Sequence, residues 1–211
     1  MPTTEEARQW YPAQDGVHDF EHVLRVLAMA DRLAQAMGAD LEIVHAAVLL
    51  HDVNGAQADR EQRLDHHCAA ANLAGELLQS EGWGEERIAA VQHCIRAHRF
   101  RDDSQQPQTL EAQILFDADK LDAIGATGVA RAIAYALQAG QPVYARPSQK
   151  FLESGELEQG EPHSAYHEHL FKLRRLKERI YTPLARRIAE QRHQVMEAYF
   201  AALAGEMEGK E

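Results

Sequence analysis

The sequence predicts an all-α fold, a helical bundle followed by a C-terminal helical extension. Apolar residues recur at three- and four-residue spacing over long segments, and no segment alternates with the two-residue period of a half-buried strand. The most apolar stretch, Ile43 to Leu50, is apolar nearly all round, the mark of a helix sunk in a core. Glycine and proline cluster between these segments and punctuate them. At 211 residues, 45% hydrophobic and 26% charged, the chain suits a single domain around one substantial core.

The first long helix is expected over Val17–Met37, where Val23, Val26, Leu27, Ala30 and Leu33 share a face and Gly38 supplies the stop. Asp40 is placed to cap a second helix, Leu41 to about Asp52. A polar loop from Asn54 to about Asp65 precedes a third helix, His66–Ser80, which Gly82-Trp83-Gly84 ends. Glu85 to about His98 reads as the fourth. Arg101–Gln108, with Pro107, is a loop. The helical period resumes at Leu110, Ile114, Leu115, Leu121 and Ile124 and runs to Leu137, with Gly125 and Gly128 suiting a bend or a close helix contact. Gly140–Pro162 is rich in glycine, proline and charge, and is expected to be either a mobile lid or an ordered substrate loop. Tyr166–Ala204 reads as one or two helices, with Pro183 at a fresh start or a kink, and Glu206–Glu211 as a frayed tail.

Composition narrows the partners. A net charge of −11 disfavours nonspecific attraction to nucleic acid and to anionic membranes, so neither a nucleic-acid polymer nor a membrane is expected. Ile43–Leu50 falls far short of the ~20 apolar residues a membrane span needs. The N-terminus lacks the basic-then-apolar order of a secretory signal, and a cytoplasmic location is expected. Cys68 and Cys94 form no CxxC and read as free, partly buried thiols. Neither a Walker GxxxxGK[ST] nor a Rossmann GxGxxG is present.

The chemistry-bearing residues come in a series: His18 and His22, one helical turn apart; His51-Asp52, ending the apolar helix; and Asp119 within Asp117-Ala118-Asp119-Lys120-Leu121-Asp122. Imidazole and carboxylate together suit divalent transition metals. A His-Asp pair ending an apolar helix, and a carboxylate among Ile114, Leu115, Phe116 and Leu121, are costly to bury unless a partner satisfies them. A metal ion would satisfy them all.

His18-Asp19-Phe20-Glu21-His22, Leu49-Leu50-His51-Asp52-Val53 and Asp117 to Ala126 resemble, in that order, the HD-superfamily phosphohydrolases, and more narrowly a bacterial subgroup of stand-alone HD hydrolases. The likeness spans most of the chain and weakens between about Gln141 and Pro162. It implies one HD-type domain over 1–211, with an HD core near 17–137 and a loop and C-terminal helices over 138–211. It maps His22, His51, Asp52 and Asp119 onto metal ligands, with Mn²⁺ favoured over Fe²⁺, Co²⁺, Ni²⁺ or Zn²⁺. It sets His18 where related phosphodiesterases carry a general acid, so His18 and Asp52 are the catalytic candidates.

His66, His67, His93 and His98 fall in the interval from which, the resemblance implies, ligands of a second metal would be drawn; alternatively His66 or His67 and His98 are candidate contacts to substrate phosphate, and His93 a structural histidine. Lys120 and Lys172 are further phosphate candidates. Lys172, however, lies with Arg174, Arg175 and Lys177 in a run that also reads as a solvated basic face. Asp122, one turn from Asp119, would orient a water or a ligand. The implied activity is metal-dependent hydrolysis of a phosphoester or phosphoanhydride in a nucleotide or similar phosphorylated metabolite, by a monomer or a homodimer. The alternatives are an HD-type di-iron oxygenase and a non-catalytic metal- or nucleotide-binding regulator.

Overall fold

The computed structural model describes residues 1–11, 20–53, 62–99 and 105–210. Among them it holds ten α-helices and a 3₁₀ helix, and no strand. They fall into two compact units, Met1–Asp119 and Lys120–Glu211.

The first unit opens with α1 (Thr4–Arg8), which the apolar periodicity does not reveal. A reciprocal capping box forms it: the Glu6 N–H donates to Thr3 Oγ1 at 3.2 Å, and the Thr3 N–H to Glu6 Oε2 at 2.8 Å. α2 (Phe20–Met37) buries Val23, Val26, Ala30 and Leu33 of the predicted stripe, together with Ala34, while Leu27 is half-buried. α3 (Leu41–Leu50) packs against α1, α2, α4 and α5, with Val44 and Ala46 to Leu50 buried. Asp40 caps it as expected, accepting from the Glu42 and Ile43 N–H groups at 3.0 and 3.2 Å. α4 (Gln62–Ser80) starts four residues ahead of the predicted His66, because its polar opening Gln62-Arg63 carries no apolar period. α5 (Glu85–Ala97) and α6 (Leu110–Asp122) complete the unit, which takes α6 through Asp119.

The second unit begins in the last turn of α6. The period that reads as one segment to Leu137 is broken at Ala123-Ile124, before α7 (Gly125–Gln138). Gly125 makes the turn at φ +77°, where an added Cβ would lie 2.9 Å from Arg192 Cβ. Gly128 makes the close contact, since a Cβ there would sit 2.8 Å from Met196 Cε.

The long loop contains α8 (Gln149–Ser154), capped by Ser148 Oγ, which accepts from the Phe151 N–H at 3.0 Å. Glu161 ties the loop together, accepting from the Ser148 N–H and Oγ and the Glu158 N–H, each at 2.7 Å. His167 Nε2 adds a contact at 3.1 Å. α9 (Ala165–Phe171), the 3₁₀ helix Leu173–Arg179 and α10 (Pro183–Met207) follow, with Pro183 at the helix start where its missing N–H costs nothing. The tail is helical through Met207, and Glu208 accepts from the Tyr144 hydroxyl at 3.1 Å.

Candidate metal centre

Two helices of the first unit end in the same way. His51 is the C-terminal cap of α3 and His98 that of α5. Each turns its imidazole back so that Nδ1–H donates to the carbonyl three residues earlier, His51 to Val48 at 2.7 Å and His98 to Ile95. A carbonyl can only accept, so this bond fixes the proton on Nδ1 and leaves the Nε2 lone pair pointing outward. The rings meet edge to face, their centroids 5.2 Å apart.

His22 arrives from α2, 2% exposed, with its ring 5.5 Å from that of His51. Asp119 arrives from α6, with Oδ1 3.4 Å from His22 Nε2. Donor atoms of His22, His51 and Asp119 all lie within 4.8 Å of one another. Asp52 stands between the imidazoles: Oδ2 is 3.6 Å from His51 Nε2 and 4.0 Å from His22 Nε2, and Oδ1 is 3.5 Å from His98 Nε2. Segments scattered over the sequence thus converge on one point.

The donor set fits a divalent transition metal. His51 is wholly buried and its Nε2 has no hydrogen-bond partner, an arrangement that costs about 1–3 kcal/mol unless a Lewis acid meets the lone pair. Burial holds this imidazole down to about 4, against the opposing charge of Asp52, so it is the neutral form that a metal needs.

The remaining site candidates are placed as follows. His67 is 4% exposed, with Nδ1 3.3 Å from an Arg99 guanidinium nitrogen. His93 Nε2 accepts from the Gln108 N–H at 3.1 Å, a structural bond. His18 lies outside the described residues, as does the side chain of His66 in the first turns of α4. In the second unit Lys120 is buried, Asp122 pairs with Arg131, and Lys172 pairs with Glu168 at 2.6 Å. Nothing in the sequence marks Tyr11, whose buried hydroxyl donates to the Leu49 carbonyl at 3.1 Å, one residue from the end of α3. Burial pushes this phenol well up, with the charge of Asp52 adding to the effect, so it stays a donor.

The uncharacterized protein YpgQ of Bacillus subtilis is 32% identical over 216 residues, covering 99% of this chain and 96% of that protein. The crystal structure of YpgQ in complex with ADP superposes with a TM-score of 0.75 at 31% identity, over 99% of this chain and 100% of that one. An HD-superfamily hydrolase from Bacillus thuringiensis superposes with a TM-score of 0.70 at 26% identity, over 97% of this chain and 96% of that one. Ribonuclease Y of Chloroflexus aurantiacus is 32% identical over 111 residues, 53% of this chain but 19% of that protein, so the likeness there is confined to a shared segment. The HD domain model matches residues 19–124, which take in His22, the His51-Asp52 pair and Asp119, and this chain belongs to the HD domain family.

Proposed function

We propose that this chain is a divalent-metal-dependent phosphohydrolase acting on a nucleotide or a similarly phosphorylated small metabolite. The convergence of donor atoms from His22, His51 and Asp119 within 4.8 Å, with Asp52 beside them, carries the reading. The ADP complex of YpgQ supports a nucleotide as the ligand class. His22, His51, Asp52 and Asp119 would hold the ion, Mn²⁺ being favoured. When bound, it supplies Lewis acidity to a phosphoryl oxygen and lowers the pKa of a coordinated water.

The chain's own residues do the positioning. The Nδ1–H bond to Val48 keeps His51 in one tautomer and one orientation. His98 Nε2 stands 3.5 Å from Asp52 Oδ1 beside the centre, and with a proton on that nitrogen the imidazole would donate to a phosphate oxygen. His67, with the Arg99 guanidinium against it, brings positive charge to the same helix pair, α4 and α5, and is proposed as a phosphate contact. His18 is proposed as the proton donor to the leaving oxygen.

The test is phosphate release by purified protein across nucleotides and sugar phosphates, with Mn²⁺ and with a chelator. Release that needs the metal and is lost in Asp52→Ala supports the reading. Metal-loaded, folded protein that releases phosphate from none of them sinks it.

One observation favours a second reading. The two oxygens of Asp52 face different imidazoles, His51 and His98, as a carboxylate shared by two metals does. Two irons per chain and an oxygen-dependent optical change would replace hydrolysis with the di-iron reading, and one exchangeable Mn²⁺ would retire it.

A further inference from the structure

The last turn of α3 has carbonyls with no partner inside the helix, as every helix end does. Two adjacent ones are taken by side chains. The Val48 carbonyl accepts from His51 Nδ1–H at 2.7 Å, and the Leu49 carbonyl accepts from the Tyr11 hydroxyl at 3.1 Å. The hydroxyl therefore ties down the end of α3 two residues before His51.

The hydroxyl is held there by its ring. Tyr11 is 8% exposed and packs on Phe20, centroid to centroid 5.4 Å. Phe20 is the first residue of α2, two before His22, and the Arg8 guanidinium covers its ring at 4.5 Å. Tyr11 thus touches both the helix end that carries His51 and Asp52 and the helix start that carries His22.

We propose that Tyr11 is a positioning residue of the metal centre, its hydroxyl fixing the turn that aims His51 Nε2 and the Asp52 carboxylate at one point. This rests on the reading of His22, His51, Asp52 and Asp119 as the holders of a divalent ion. The hydroxyl's bond is to a backbone carbonyl and not to a ligand side chain. It acts by keeping the Leu49–Asp52 backbone in one conformation, so that the ion meets donors already in place.

The experiment is Mn²⁺ binding to the metal-free full chain, by calorimetry and by the Mn²⁺ electron paramagnetic resonance spectrum, beside thermal unfolding in chelator. Tyr11→Phe keeps the ring on Phe20 and removes the hydroxyl alone. It is expected to weaken Mn²⁺ binding by about 10- to 100-fold, as the loss of groups that orient metal ligands does. It should broaden the Mn²⁺ spectrum while the unfolding midpoint stays within a few degrees of wild type. Tyr11→Leu, which also removes the ring, should unfold at a lower temperature yet match Tyr11→Phe in metal affinity. Wild-type affinity in folded Tyr11→Phe, or affinity that tracks the unfolding midpoint across the variants, overturns the proposal. Asp52→Ala tests the underlying reading apart: if it binds Mn²⁺ as wild type does, the metal centre itself is misassigned and the role of Tyr11 falls with it.

Discussion

His51 is a buried imidazole whose one nitrogen is committed to a backbone carbonyl and whose other meets no hydrogen-bond donor. Removing it, or the Asp52 beside it, should cost metal affinity more than stability. His51→Ala and Asp52→Ala are each expected to weaken Mn²⁺ binding by more than about 100-fold, beyond what loss of an orienting group costs. Their far-ultraviolet circular dichroism should stay that of wild type. An Asp52→Ala protein with unchanged metal affinity would remove the central reading.

The two thiols give a second expectation at this scale. Cys94 is fully buried, and burial pushes its thiol up to about 12, with the charge of Glu111 adding to the effect, whereas Cys68 is partly exposed. The thiolate is the reacting form, so native protein should release one equivalent of chromophore quickly to a disulfide reagent and the second only on unfolding. Two fast equivalents in native protein would contradict the packing around α5.

The elements depend on their ends. Asp40 caps α3, and its carboxylate also meets the Arg87 guanidinium of α5 at 3.2 Å, so Asp40→Ala should lower unfolding free energy by about 1–2 kcal/mol in urea titrations. A change below a few tenths would mean that the cap is dispensable. Gly125→Ala should cost more, of the order of 2 kcal/mol, because the residue must hold φ +77° and its new Cβ meets Arg192.

In the loop after α7, burial works to raise the Glu161 carboxyl. The hydrogen bonds from Glu158, Ser148 and His167 outweigh it and hold the group down to about 2. A depressed carboxylate contributes stability above its unfolded value near 4.5, and that contribution is lost as pH falls towards about 2. Glu161→Gln should therefore speed amide exchange across residues 148–161 at neutral pH and flatten its acid dependence. Equal exchange in both proteins would show that the loop is held by other contacts.

At the scale of the molecule, each unit contains a histidine that burial keeps neutral. His51 in the first and His169 in the second are both held down to about 4, desolvation being the largest cause in each. For His169, Glu197 at 3.3 Å opposes the shift and Arg174 reinforces it. The sign follows from proton counting: between about 6.5 and 4 the unfolded chain binds a proton at each position that the folded chain refuses, so stability falls as pH falls through that window. Each histidine contributes a slope of at most about 1.4 kcal/mol per pH unit. Urea midpoints measured in chelator should drop between pH 7 and pH 5, and His169→Phe should lose part of that dependence. A metal that binds only the folded chain adds stability by mass action, about 2.7 kcal/mol at a hundredfold excess over the dissociation constant. Mn²⁺ should accordingly raise the unfolding temperature of wild type and leave that of Asp52→Ala where it was.

The sequence by itself determined the helical class, most of the helix positions in the first unit and the series His22, His51-Asp52, Asp119. Apolar periodicity, a capping aspartate and buried polar residues are local signals that survive in one dimension. α1 and α8 escaped because polar residues stabilise them through caps and leave no apolar stripe, and the early start of α4 because Gln62-Arg63 carries no apolar period. The division of the segment after Leu110 at Ile124 turned on a contact with α10, far along the chain. Only tertiary structure decided that Asp119 lies 3.4 Å from His22 and that Asp52 faces both His51 and His98. Only it placed the Tyr11 hydroxyl on the Leu49 carbonyl, 38 residues away. Distances between groups on different helices follow from how the helices pack, and no spacing within one segment encodes them.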